Sequence, residues 1–194
     1  MAYWWVNHKQ TYRQETEGGY IWSPKTNANG ARNVSYDNLT RSERGDVVFS
    51  YANGKISQIG LVETAAITAQ KPPEFGSAGD SWSQDGWVVR VNWQPLQQPL
   101  VPQTFFELLQ PLLPERHSPI STSSGRGNQG VYLAGLGETL AARCPGYSAQ
   151  SWNPRAGASG WKRGAIQHSN FGCLSRLASL VTQVQIFLSR FLPR

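Results

Sequence analysis

The dipeptide Asn53-Gly54 stands between Val47-Val48-Phe49-Ser50-Tyr51 and Ile56-Ser57-Gln58-Ile59-Gly60-Leu61-Val62. Asn-Gly supplies the positive-φ pair of a type I′ turn, whose twist matches that of paired strands, so this arrangement predicts an antiparallel hairpin. Gly45-Asp46 turns the chain into it. Further short extended segments flank the hairpin. Tyr3-Trp4-Trp5-Val6 is aromatic and β-branched, Tyr20-Ile21-Trp22 follows Gly18-Gly19 and is ended by Ser23-Pro24, and Trp87-Val88-Val89-Arg90-Val91-Asn92-Trp93 forms another run. Helical signals are weaker: a turn from Tyr36 to Arg41 with Ser35 as its cap, and a helix from Thr104 to Leu109 inside a Pro-rich stretch. Residues 71–86 form a Pro/Gly/Ser loop holding Phe75 and Trp82, residues 121–130 a Gly/Ser loop, and Val131-Tyr132-Leu133 a closing strand. Short strands, few helices and long polar loops predict an α+β (mixed) domain built around a small β-barrel.

That pattern does not extend through all 194 residues. Residues 1–138 carry 11 Lys/Arg and all 12 acids, the last being Glu138, whereas residues 139–194 carry Arg143, Arg155, Lys162, Arg163, Arg176, Arg190 and Arg194 and no acid. The net charge of +6 and the pI near 9.6 therefore belong to the tail. This asymmetry divides the chain into a domain at 1–138, an irregular basic linker at 139–172 and an amphipathic C-terminal helix at 173–194. In the last segment Leu174, Leu177, Val181, Val184, Leu188 and Phe191 recur at spacings of 3 and 4, a stripe that docks on the domain or on a second copy in a homo-oligomer. No apolar run reaches the roughly 18 residues of a membrane span, and the N-terminal residues lack a secretion signal. Cys144 and Cys173 alone make no disulfide framework, so the expectation is a cytoplasmic protein.

The residues offer no convincing catalytic constellation. His8, His117 and His168 are isolated in sequence, the two cysteines lie far apart, and there is no GxSxG elbow. The run Gly125-Arg126-Gly127-Asn128-Gln129-Gly130 fits GxGxxG, yet it follows a Ser-rich loop and precedes a strand, the reverse of a dinucleotide fingerprint. We expect no cofactor and no metal. A small metal-dependent endonuclease using His8, His117 or His168 stays as a minor alternative. What is abundant is planar and amide chemistry: eight Trp, seven Tyr and seven Phe interleaved with Asn and Gln. Stacking on rings combined with hydrogen bonds to a polar edge is how proteins hold an extruded nucleobase. Trp5, Val47, Phe49 and Trp87, in strand patterns, are expected in the core. Trp22 and Trp82, at loop edges, fit either a pocket or the core.

Gly30-Ala31-Arg32-Asn33, Asn38-Leu39 and Arg44-Gly45-Asp46-Val47-Val48-Phe49-Ser50-Tyr51 resemble the GVRNY…GD…FY…S core of EVE domains, members of the PUA superfamily with YTH and SRA base readers as relatives. Trp4-Trp5-Val6-Asn7-His8-Lys9-Gln10-Thr11, Gly19-Tyr20-Ile21-Trp22-Ser23-Pro24-Lys25, Glu74-Phe75-Gly76-Ser77-Ala78-Gly79 and Gly127-Asn128-Gln129-Gly130-Val131-Tyr132-Leu133 resemble more closely the N-terminal reader of EVE–HNH modification-dependent (type IV) restriction endonucleases. The likeness covers about residues 2–136. It implies a PUA-like barrel that accepts a flipped 5-methyl- or 5-hydroxymethylcytosine from double-stranded DNA, with modified RNA as the alternative ligand. It further implies that Trp22, Ser23 and Pro24 line the pocket, Asn33 orders the loop beneath, Ser50 and Tyr51 form a wall, and Trp82, Asn128 and Gln129 approach the base or its flanking strand. Trp22→Ala is then expected to weaken binding and leave the fold intact.

The tail departs from the family. No partner His or Cys pair accompanies His168-Ser169-Asn170, so the HNH nuclease is not recognisable and the expectation is a reader without enzymatic activity. An acid-free Arg/Gly/Ser-rich tail fits an altered reading frame or a fusion junction. An HNH coding sequence in another frame after codon 134 is therefore expected, and its absence from the gene would sink the idea.

Overall fold

The computed structural model describes residues 2–128 and a two-residue strand at Ala134–Gly135, all within a compact unit spanning Met1–Leu140. The closing strand expected at 131–133, both cysteines, His168 and the stripe at 174–191 lie outside the described residues, and with them the proposed oligomer contact. No helix among the described residues is long and apolar enough to cross a membrane.

The predicted hairpin is present as β3 (Val47–Ala52) and β4 (Lys55–Val62), and Asn53 and Gly54 take φ of 51° and 79°. β1 (Tyr3–Asn7) lies parallel to β3, pairing Tyr3 with Val47 and Asn7 with Tyr51. β6 (Asp85–Leu100) is the long spine of the sheet: its second half pairs with β4, and its first half lies between β2 (Tyr20–Pro24) and β5 (Ile67–Gln70). The strand order is β2-β6-β4-β3-β1-β7, with β7 (Ala134–Gly135) on β1 and β5 on β6, a curled mixed sheet carrying short helices.

β6 runs past the Trp93 expected as its end. Pro95 and Pro99 sit where its pairing with β4 shifts register between Ile56 and Gln58, and a bulge tolerates residues that donate no ladder bond. α1 (Tyr12–Gly18) and β5 were not evident in the sequence. The helical turn begins two residues earlier than expected, as α2 (Val34–Asp37) followed by a 3₁₀ turn at Asn38–Arg41. Its cap is Asn33, in extended backbone, whose side chain accepts from the Ser35 amide at 2.9 Å; Ser35 is inside the helix. The expected helix at 104–109 is a 3₁₀ turn at Pro102–Phe105 leading into α3 (Phe106–Leu109).

Alternation along the strands decides what each face buries. The inner face gathers Trp4, Val6, Ile21, Val48, Val62, Val89, Val91 and Trp93, joined by Leu39 from the 3₁₀ turn. Asp46 anchors the β1–β3 entry: its buried carboxylate accepts from the Ala2 amide (2.6 Å), Trp4 Nε1 (2.8 Å) and the Glu43 amide (3.0 Å). On the opposite face of β1 and β3, Tyr3 stacks on Phe49 and Trp5 lies against Tyr51. Of the rings expected in the core, Trp5 and Phe49 are buried, while Trp87 is half-buried under the Lys25 ammonium at 4.4 Å.

Candidate functional site

Successive side chains of β2 leave the strand in opposite directions, so the sequence neighbours Trp22 and Ser23 serve different surroundings. Tyr20 and Trp22 point to the outer face of the β2–β6–β5 layer, where Phe75 and Trp82 from the 71–84 loop cover them. Trp22 is 2% exposed; its ring meets Phe75 edge-on at 5.8 Å and Trp82 at 6.1 Å, and its Nε1 donates to the Ala69 carbonyl at 3.3 Å. Close approach of the backbone is needed beneath it. A Cβ at Gly86 would lie 2.3 Å from the Trp22 ring, and one at Gly79 would strike Trp82. Trp82 is half-buried and forms the outer layer of this aromatic stack.

Tyr20 is also tied down. Its hydroxyl donates to Glu74 at 2.8 Å. Burial, then the bond to Glu74 and the nearby Glu74 and Glu15 charges, push its phenol above the ordinary value. A raised native value favours the neutral phenol, so this stability is complete below the unfolded value near 10 and is lost as pH climbs above it. The melting-temperature advantage of the native protein over Tyr20→Phe is expected to shrink between pH 8 and pH 11. A constant gap would contradict it.

Ser23 belongs to a chain of polar contacts centred on Tyr36. The Ser23 hydroxyl donates to the Tyr36 carbonyl at 3.4 Å, the Tyr36 amide donates to the Asn33 carbonyl at 2.9 Å, and the Tyr36 hydroxyl donates to Asn27 Oδ1 at 3.1 Å. Asn27 in turn bridges Trp82 by backbone pairing. Ser23, Asn33 and Trp82 are thus linked through Tyr36 and Asn27, two residues that the sequence did not single out. Pro24, buried, ends β2 beside them.

Ser50, Tyr51 and Asn128 lie elsewhere. Ser50 is fully buried on the inner face opposite Val6, with no hydrogen-bond partner for its Oγ among the described residues. Tyr51 faces the other way, against Trp5 and against Gly127, where a Cβ would come within 2.5 Å of its ring. Asn128 donates from Nδ2 to the Ser118 carbonyl at 2.8 Å, and its own carbonyl accepts from Asn7 Nδ2 at 2.9 Å. These bonds lash the 118–128 loop to β1. Gln129 lies outside the described residues.

A buried ionisable group that the sequence reading passed over joins β1, α1 and β2. Glu15, 2% exposed, accepts from the Trp22 amide through Oε1 at 2.8 Å. Its Oε2 accepts from Thr11 Oγ1 at 2.8 Å and lies 2.5 Å from His8 Nδ1. The His8 ring is buried against Trp93 at 5.4 Å and Tyr12 at 6.1 Å. His117 is exposed, and among the described residues no group of three or more His, Cys, Asp or Glu is placed to hold a metal ion.

No family model matches the sequence, and no curated protein matches it. Solved structures similar to it include Rpa0253 from Rhodopseudomonas palustris, at 19% identity over 54% of this chain and 70% of that one, with a TM-score of 0.35. PSPTO5229 from Pseudomonas syringae is similar at 14% identity over 63% of this chain and 94% of that one, with a TM-score of 0.38. The Pho92 YTH domain in complex with m6A is similar at 10% identity over 66% of this chain and 76% of that one, with a TM-score of 0.41. At such scores the likenesses are loose, and the fold is defined by the strand pairing of this chain itself.

Proposed function

We propose that this chain is a PUA-like, non-enzymatic reader of double-stranded DNA, taking an extruded 5-methyl- or 5-hydroxymethylcytosine at the rim formed by Trp82, Asn27 and Asn33, which the buried Tyr36 and Ser23 hold in place from beneath. One observation carries the reading: a half-buried indole rests on a buried aromatic platform and is bridged to a network of amides and hydroxyls. A base needs a flat apolar face to stack on and polar groups for its edge, and this rim supplies both. Trp22, closed over by Phe75 and Trp82, acts in this reading as the foundation of the stack and Trp82 as the surface the base meets. The 5-methyl group itself adds about 1 kcal/mol or less, roughly fivefold in affinity.

An affinity panel of unmodified, methylated and hydroxymethylated duplexes, with RNA of the same sequence, tests the reading. The modified duplexes should bind more tightly than the unmodified one, and equal affinities would refute it; preference for the RNA would move the reading to modified RNA. Trp82→Ala should weaken binding to the preferred duplex by about 1–3 kcal/mol, the worth of one stacked base. Because the ring is half-buried against Trp22 and Phe75, the affinity is compared per folded molecule, with a melting curve of the variant beside it. An unchanged affinity would remove Trp82 from the site.

A further inference from the structure

Three cations sit on segments that meet at the end of the sheet around Tyr51. The His8 amide donates to the Tyr51 carbonyl at 3.1 Å, which sets Lys9 at that end. Lys55, first residue of β4, pairs with Ala52 next to Tyr51. Arg126 precedes Gly127, the residue packed on the Tyr51 ring. All three are exposed, and none forms an ion pair within 4 Å among the described residues. Arg13 pairs with Glu17, Arg32 with Asp37, and Lys71 lies near Asp80; Lys25, Arg41 and Arg90 make no ion pair either but are held by the Trp87 ring, Asn38 Oδ1 and the Gly18 carbonyl.

The surrounding sequence keeps acids away. None occurs in residues 1–14, 47–62 or 116–137. Glu15 is turned inward onto His8 and the Trp22 amide. Glu107, on the helix against which Gly125 packs, makes no ion pair with Arg126. Lys9 also holds φ of 46°, a left-handed conformation uncommon for a residue other than Gly, Asn or Asp and found preferentially at functional positions. A lysine kept in that conformation, at an end of the sheet whose own segments carry two further unpaired cations and no acid, suits an anion.

We propose that Lys9, Lys55 and Arg126 form a phosphate-contacting rim that grips the nucleic-acid backbone independently of base identity. The partner's chemistry is a polyanionic strand with regularly spaced phosphates, and the assignment of that strand to the ligand of the base site rests on the function proposed above. Backbone contacts position the ligand; the aromatic rim selects the base. The basic segment at 139–194 adds its own salt-sensitive attraction, so the test is a difference between full-length variants.

Affinities of the full chain and of a Lys9→Asn, Lys55→Gln, Arg126→Gln triple variant are measured across a salt series, on modified and unmodified duplexes. Asn tolerates the left-handed backbone at position 9, and a melting curve verifies that the variant folds. Each lost phosphate contact lowers the slope of log affinity against log salt by about 0.9, so the slope should fall by close to three. Both duplexes should lose affinity by the same factor, leaving their ratio unchanged. An Arg41→Gln, Arg44→Gln control, which alters cations away from this end, should leave the slope within one contact of the native value. An unchanged slope in the triple variant, or no binding of the native chain to either duplex, overturns the proposal. Equal native affinities for the two duplexes with a reduced slope in the variant would instead refute base reading and leave the rim standing.

Discussion

Glu15→Ala is expected to destabilise the domain by about 3–5 kcal/mol, the cost of removing one member of a buried polar pair. The carboxylate serves three partners at once: the Trp22 amide, Thr11 Oγ1 and the His8 ring. Alanine leaves the Trp22 amide and the His8 ring without this partner in a place water does not reach, while Thr11 Oγ1 keeps the His8 carbonyl as acceptor, and each orphaned group costs about 1–3 kcal/mol. The helix carrying Glu15 is only seven residues long, so tertiary contacts rather than helix propensity hold it. Glu15→Gln keeps an oxygen for the Trp22 amide and should lose roughly half as much. Thermal and urea melts of the three proteins check the order, with a fall of roughly 10 °C or more for alanine. If the alanine variant melts within 2 or 3 degrees of the native protein, by the same scaling, the cluster contributes little to stability.

The contrast between this cluster and the hairpin shows what the residues reveal unaided. Asn53-Gly54 fixes a turn by local backbone preference, and the strands beside it follow from that. Glu15 gives no such signal. A lone acid in a polar run reads as solvated, and only the return of β2 past α1 brings an amide to meet it. β5 is similar: Ile67 is 63% exposed, and the strand exists because β6 offers it a ladder. The candidate site was legible in residue types and obscure in arrangement. All five residues of β2 are buried, because the inner core covers one face and the 71–84 loop the other. Alternation is then invisible in the sequence, and Trp22 and Ser23 look like neighbours in one pocket. Tyr36 and Asn27 join Ser23 to Trp82 through contacts between separate segments, which no local pattern announces.

That burial changes what Trp22→Ala does. A pocket-lining ring can be removed with the fold intact, whereas Trp22 fills the space between Phe75, Trp82 and the backbone at Gly86. Its loss leaves a cavity that the surrounding sheet cannot close, and Trp→Ala in such a place costs about 3–5 kcal/mol. The indole also donates to the Ala69 carbonyl, which ties β2 to β5 across β6. We therefore expect Trp22→Ala to lower stability strongly and to weaken modified-base binding as a consequence, through the collapse of the support under Trp82. Trp22→Phe, which keeps an aromatic face in the stack, should recover much of both. Melting curves and duplex affinities measured on the same samples separate cause from consequence: binding per folded molecule should fall more steeply in Trp82→Ala than in Trp22→Phe. A stable Trp22→Ala protein that no longer binds would place the Trp22 ring in direct contact with the base and displace Trp82 from that role.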